Sequence, residues 1–129
     1  AMCDGDTPYV LPTTYGYRDG VMYFHSSKNG RKMDVLRENN RVCFVVDTGH
    51  ELVQGPLDTS CKSTIKFKSV IGTGRARMVE DLAEKRKAMD VIMSQMFGKA
   101  DFKYTDEGVR DMAIIRIDIE SLTGKKSGY

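Results

Sequence analysis

The sequence predicts a mainly β protein with some helix, an antiparallel barrel carrying helices on its outside. Three observations lead there. Stretches that alternate apolar and polar residues dominate the chain, and turn signals separate neighbouring stretches. Only two segments switch to helical spacing, too few to give each strand pair the crossover helix of a parallel sheet. A length of 129 residues with 40% hydrophobic content suits one domain, 1–129, built on a single modest core.

The first β runs, Pro8 to Tyr17 and Val21 to Ser26, are rich in Tyr, Val, Thr and Phe and flank Arg18-Asp19-Gly20, whose Asp-Gly pair marks a tight hairpin. After Ser27 the period changes. Met33 and Leu36, with Val35, form the apolar edge of a short helix that carries Arg31, Lys32, Arg37 and Glu38 and ends at Asn39-Asn40. Arg41 to Asp47 returns to β spacing, with Val42, Phe44 and Val46 on one face and Cys43 and Val45 on the other. Both faces are expected to be at least partly covered, as in a central strand. Thr48 to Cys61 holds Gly49, Gly55, Pro56 and Asp58 without periodicity and reads as a loop over a site.

Ser63 to Val79 alternates, with Ile65, Phe67, Ser69 and Ile71 on one face. Gly72 and Gly74 predict a bulge or bend in a strand too long to stay straight. Asp81 and Glu84 have capping-box spacing. Leu82, Lys85, Met89, Ile92 and Met96 follow at helical spacing until Gly98, which predicts an amphipathic helix with a glycine cap. Lys99 to Arg110 shows no clear pattern. Met112 to Ile119 supplies the last strand, with Ile115, Ile117 and Ile119 on one side, and Gly124 to Tyr129 reads as a polar tail.

Composition excludes several functions. Twenty Lys and Arg against 18 Asp and Glu leave a net charge of +2, no field for nucleic acid or an anionic membrane. The longest apolar run, Val42 to Val46, is too short to span a bilayer, and the N-terminus lacks the layout of a secretory signal, so a soluble cytoplasmic protein is expected. Cys3, Cys43 and Cys61 lack C-x-x-C spacing and read as free thiols. His50 beside Glu51, with no second His or Cys at ligand spacing, predicts no metal site. Gly72-Thr73-Gly74 runs on into a strand and fails the dinucleotide fingerprint, and no G-x-S-x-G elbow occurs. The eight methionines read as core filling.

The segment Tyr23-Phe24-His25-Ser26-Ser27-Lys28-Asn29-Gly30-Arg31-Lys32 is the most informative. A strand ends in hydroxyl residues, turns at glycine and enters a helix, which brings together amide, hydroxyl and cationic donors for a phosphate. A second reading stands beside it: Ser26 and Ser27 cap the helix while Lys28, Arg31 and Lys32 form its solvated face. His25, on the face of Tyr23 and Val21, suits either a phosphate donor or a structural histidine.

Five motifs then occur in one order: Pro8-Tyr9-Val10-Leu11-Pro12-Thr13; Tyr23 to Ser27 leading to Gly30-Arg31-Lys32; Arg41-Val42-Cys43-Phe44; Phe67-Lys68-Ser69-Val70-Ile71-Gly72-Thr73-Gly74; and Ile117-Asp118-Ile119 with Thr123-Gly124-Lys125. Together they resemble the nitroimidazole-resistance branch of the pyridoxamine 5'-phosphate oxidase-like family, from about Pro8 to Lys125. The resemblance implies an FMN-binding split barrel of Greek-key type that acts as a homodimer with a flavin at each interface. It implies that Val10, Leu11, Pro12 and Thr13 lie along the flavin ring and ribityl chain. His25, Ser26, Ser27 and Lys32 would hold the phosphate, and Ser69 and Val70 would approach the ring. Members of the family carry a helix and a strand ahead of the Pro-Tyr-Val segment; only Ala1 to Thr7 precede it here, so a shortened first strand is expected. The implied activity is FMN-dependent oxidoreduction of small molecules, including nitroaromatic ones. The alternatives are pyridoxamine 5'-phosphate oxidation, for which no second basic cluster comparable to Lys28 to Lys32 is legible, and a non-enzymatic flavin- or haem-binding module.

Overall fold

A computed structural model describes residues 1–99 and 101–129. Its strands are β1 (Met2–Asp4), β2 (Thr7–Tyr9), β3 (Gly16–Arg18), β4 (Val21–Ser26), β5 (Arg41–Val53), β6 (Thr64–Val79) and β7 (Ala113–Ser127). The helices are α1 (Arg31–Glu38), α2 (Leu82–Phe97) and α3 (Asp106–Asp111), with a short 3-10 turn at Ser60–Lys62. The seven strands form one sheet in the order β2-β1-β5-β6-β7-β4-β3, and every neighbouring pair is antiparallel. This is the antiparallel split β-barrel with outer helices that the sequence predicts.

Asp19 and Gly20 both take positive φ, 52° and 78°, so the β3–β4 hairpin closes through the two-residue turn expected of Asp-Gly. The Pro8 to Tyr17 run is not one strand, however. Only its two ends join ladders, and residues 10–15 run between β2 and β3 without strand structure. Pro12, which has no N–H to give a ladder, lies in that gap.

β5 and β7 both exceed their expected lengths. Residues 48–53, read as loop, extend β5 past a register shift between Thr48 and Glu51, and the loop proper begins after Val53. Gly124 to Ser127, read as tail, continues β7 opposite β6 as far as Ser127↔Phe67. Mostly exposed residues, Leu52 among them, fill both extensions because the far ends of these strands stand in solvent, so burial periodicity cannot reveal them. A bulge falls at the expected place but on the partner strand: Thr73 pairs with Ser121 and Gly74 with Ile119, which leaves Glu120 of β7, not a residue of β6, as the extra one.

β4 divides the core. Met22 and Phe24 pack with Met33, Val35, Leu36 and Ile115 beneath α1, whereas Tyr23 on the opposite face packs with Val79, Ala88, Val91, Ile92 and Ile114 beneath α2. Helix α2 starts where the Asp81 side chain accepts the Glu84 N–H at 2.7 Å and stops at Gly98 in the left-handed region, as the sequence predicts. Its buried face is rotated from the expected one: Leu82 and Met96 are 38% and 46% exposed, while Ala88 and Val91 are buried. The shift lets the helix backbone lie against β3, where a Cβ on Gly16 would fall 2.5 Å from the Ile92 nitrogen. Lys85 is buried as well, its ammonium donating to the Met112 carbonyl at 2.9 Å beside the end of α3. Helix α3 is capped by Thr105, whose hydroxyl accepts the Gly108 N–H at 3.1 Å; one turn with a single buried residue, Val109, leaves too little pattern to read in sequence. Glu84 accepts from Arg77 and Arg116, each at 3.0 Å, which ties α2 to β6 and β7.

Candidate functional site

The central strand β5 keeps much of one edge free, because three-residue β1 meets it in register only at Met2↔Val42. Alongside that edge runs the strand-free stretch 10–15. Between them opens a cleft of about 700 Å³, within the ~300–1,000 Å³ typical of small-molecule and cofactor sites. Val10, Leu11, Pro12, Thr13 and Tyr15 line it, with Met22 and Phe24 from β4, Ile117 from β7, and Val42, Phe44 and Val46 from β5. Cys43, Val45, Asp47 and Ile71, which share the opposite face of the sheet, also border it. The cleft therefore wraps around the free edge of β5.

Phe44 owes its position to a missing side chain on the neighbouring strand. It pairs with Gly72, and a Cβ there would lie 2.1 Å from the Phe44 ring. The ring occupies the space that any other residue at position 72 would fill.

Lys32 is the cation lining this largely apolar cleft. It sits in the first turn of α1 with its ammonium 5.5 Å from the centre of the Phe24 ring and no carboxylate partner among the described residues. Burial lowers its pKa below the usual lysine value, because a desolvated ammonium loses hydration that no counter-ion replaces. Arg31 beside it is already engaged, donating from Nε to Asp4 at 2.8 Å with its guanidinium 4.5 Å from the centre of the Tyr9 ring. That clasp fixes the β1–β2 hairpin to the start of α1. The helix N-cap is Gly30, with no side-chain cap; Ser27 instead donates to the Asn29 carbonyl at 2.8 Å. The serines thus do not cap the helix, and its first amides stay open.

Of the residues singled out in sequence, Val10, Leu11, Pro12, Thr13 and Lys32 are brought together around one cleft. Ser26 and Ser27 stand at the turn before α1. His25 is exposed on the Tyr23 face of β4, opposite the face that gives Met22 and Phe24 to the cleft. Ser69 and Val70 lie beyond the lining but pair directly with Asp47 and Val46, which belong to it. Tyr15, Met22, Phe24, Phe44 and Val46 escaped the sequence reading as site residues. The alternation of β4 and β5 marked the last four as one-faced, but only the strand order shows that these faces converge.

The face of β5 and β6 expected to be covered is open in the single chain: Val45 is 62% and Ile71 49% exposed. All three cysteines are free and exposed. Among the described residues, no helix is long and apolar enough to cross a membrane, and no group of three or more His, Cys, Asp or Glu side chains is placed to hold a metal ion.

Comparison with known proteins agrees with this architecture. A 5-nitroimidazole antibiotic resistance protein of Bacteroides thetaiotaomicron, so described provisionally, superposes with a TM-score of 0.79 at 34% identity over 92% of this chain and 68% of its own. A FAD-binding protein of Mesorhizobium loti gives 0.66 at 27% identity, over 98% and 83% of the two chains. A FAD- and haem-binding protein of Mycobacterium smegmatis gives 0.84 at 16% identity, over 99% of this chain and 63% of that one, which shows a shared fold alone. No curated protein matches the sequence. The family profile described as pyridoxamine 5'-phosphate oxidase matches residues 1–126, and with the split barrel in place the chain belongs to that family.

Proposed function

We propose that the chain is an FMN-binding flavoprotein serving oxidoreduction of a small molecule. The observation that carries the reading is the cleft at the free edge of β5, apolar along most of its lining and bordered by the unpaired ammonium of Lys32. An isoalloxazine ring calls for flat apolar walls with a few backbone donors and acceptors, and residues 10–13, outside every strand ladder, offer both. A terminal phosphate calls for a cation and free amides, which Lys32 and the uncapped start of α1 offer beside Ser26 and Ser27. FMN, when bound, supplies the electron-transfer chemistry; the chain holds the cofactor, keeps water from the apolar walls and sets the local charge.

Nitroaromatic compounds are the substrate class to test first, given the 34% identical relative described in connection with nitroimidazole resistance. Homodimerisation over the open β5–β6 face belongs to the same reading. Val45 and Ile71 are exposed there and border the cleft, so a second copy would cover an apolar surface and complete the flavin pocket together. Denaturing the purified protein after loading with a mixture of FMN and FAD, then separating the released flavin by chromatography, tests the cofactor assignment. FMN is the expected product. Recovery of FAD as the main ligand, or of no flavin, overturns it.

A further inference from the structure

Strand pairing brings together two thiols that lie far apart in sequence. Met2 of β1 faces Val42 of β5, and the Cys43 N–H donates to the Ala1 carbonyl at 3.0 Å. Met2 is buried in the core with Val42 packed against it, so the alternation of each strand turns Cys3 and Cys43 to the opposite face. On that face they are diagonal neighbours across the ladder, with Cα atoms about 7 to 8 Å apart and Cβ atoms somewhat closer. Both thiols are free and exposed, and both open into a second cavity of about 410 Å³. Gly5, Thr7, Thr73 and Gly74 share its lining, so small side chains leave room beside the two sulfurs. Cys61, the third free thiol, belongs to the separate turn Ser60–Lys62.

We propose that Cys3 and Cys43 form a reversible disulfide by exchange with a low-molecular-weight disulfide of the glutathione class that enters this cavity. A disulfide needs Cα atoms about 4.4 to 6.8 Å apart, so the pair must close by roughly 1 Å. β1 can supply that movement: it is three residues long, meets β5 at one registered pair and turns toward β2 at Gly5, whose φ is 58°. Atoms and electrons balance over two exchanges. The thiolate of one cysteine attacks a sulfur of the incoming disulfide, which forms a mixed disulfide and expels one small thiolate; the second cysteine then attacks the sulfur of its neighbour and expels the other. Two protein thiols are thereby oxidised, and the small disulfide leaves as two thiols. The cavity reaches both sulfurs without Val45 or Ile71 in its lining, so the approach is separate from the open apolar face. Ala1, Met2 and Cys43 also border the cleft at the free edge of β5, so the new bond would fix the β1 wall of that cleft. Neither exchange needs a bound flavin.

The test equilibrates the fully reduced protein with oxidised glutathione in a buffer holding reduced glutathione near about 0.1 mM, then quenches with acid, alkylates and maps the cysteines by mass spectrometry. A Cys3–Cys43 bond is expected, reversed by excess reduced glutathione. It should exceed the mixed disulfides at these two cysteines by about tenfold or more, because a neighbouring thiol acts at an effective concentration in the millimolar range or above. Cys3→Ser should stop the reaction at the glutathione adduct of Cys43, and Cys43→Ser at that of Cys3, whereas Cys61→Ser should leave the bond intact. Adducts that persist on the wild type without the Cys3–Cys43 bond, or no reaction at either thiol, overturn the proposal. So does a bond that joins two chains, read as a doubled mass without reductant, or one that involves Cys61.

Discussion

Gly72→Ala tests whether the cleft depends on the pairing of Phe44 with a residue that lacks a side chain. The new Cβ would lie 2.1 Å from the Phe44 ring, against an optimal carbon–carbon separation of about 3.6 Å, so the ring must move by about 1.5 Å. Alanine gains up to about 1 kcal/mol through the lower entropy of the unfolded chain, whereas overpacking costs roughly 1 to 3 kcal/mol, so the clash should win. For a domain of this size each 1 kcal/mol shifts the midpoint by about 4 °C, which sets an expected fall of up to about 10 °C. The open side of Phe44 is the cleft, so FMN affinity should fall as well, about tenfold. Differential scanning calorimetry reads the first effect and fluorescence titration the second. A double-mutant cycle with Phe44→Leu adds an internal check: the smaller residue should recover part of the loss in the Gly72→Ala background, with a coupling of at least ~0.5 kcal/mol. An unchanged midpoint with unchanged FMN affinity would show that the strand yields freely, and the account of the cleft would be wrong.

Lys32→Ala should weaken FMN binding about tenfold to a hundredfold while leaving riboflavin, which lacks the phosphate, nearly unaffected; equal losses for both ligands in calorimetric titration would put Lys32 outside the phosphate site. Gly16→Ala should destabilise the fold by at least ~2 kcal/mol in urea unfolding, because its Cβ meets the α2 backbone rather than a movable side chain; a loss below about 0.5 kcal/mol would refute the close packing of β3 on α2. Burial acts to raise the Glu84 pKa, but hydrogen bonds from Arg116 and Arg77 outweigh it and hold the carboxyl below its usual value. Its stabilising contribution is complete above the unfolded value of about 4.3 and is lost as pH falls through the lower folded value, so below about pH 4.3 wild type should lose stability more steeply than Glu84→Gln; parallel urea-midpoint profiles would contradict this. Val45→Glu should give a monomer by light scattering if the open β5–β6 face is the dimer contact, and an unchanged mass would move the interface elsewhere.

Much of the fold was legible because its signals are local. The Asp19-Gly20 turn and the Asp81 and Gly98 caps each depend on a few adjacent residues and read correctly, and Gly72 and Gly74 marked the place of the bulge though not its strand. Pairing of solvent-exposed strands was not legible, since Glu51 to Val53 and Gly124 to Ser127 hold their ladders without burying a face. The site divided along the same line. Val10 to Thr13 and Lys32 came from sequence motifs, whereas Phe44 and Val46 meet them only because β5 stands third from one end of the sheet order, after the short β1–β2 hairpin.

Strand order also governs how the chain must reach this state. β4, near the start, pairs along its whole length with β7, near the end, Val21 facing Asp118, so the first hairpin has no lasting partner until almost all of the chain is available. Closing so long a loop is entropically costly before any contact repays it, and sheets dominated by distant pairings fold in milliseconds to seconds rather than microseconds. During synthesis Met22, Tyr23 and Phe24 would therefore lack their β7 partners while some ninety further residues are added, even once α1 lies over Met22 and Phe24. At about 5 to 20 residues per second that is several seconds of exposure, an interval in which chaperone capture competes with aggregation.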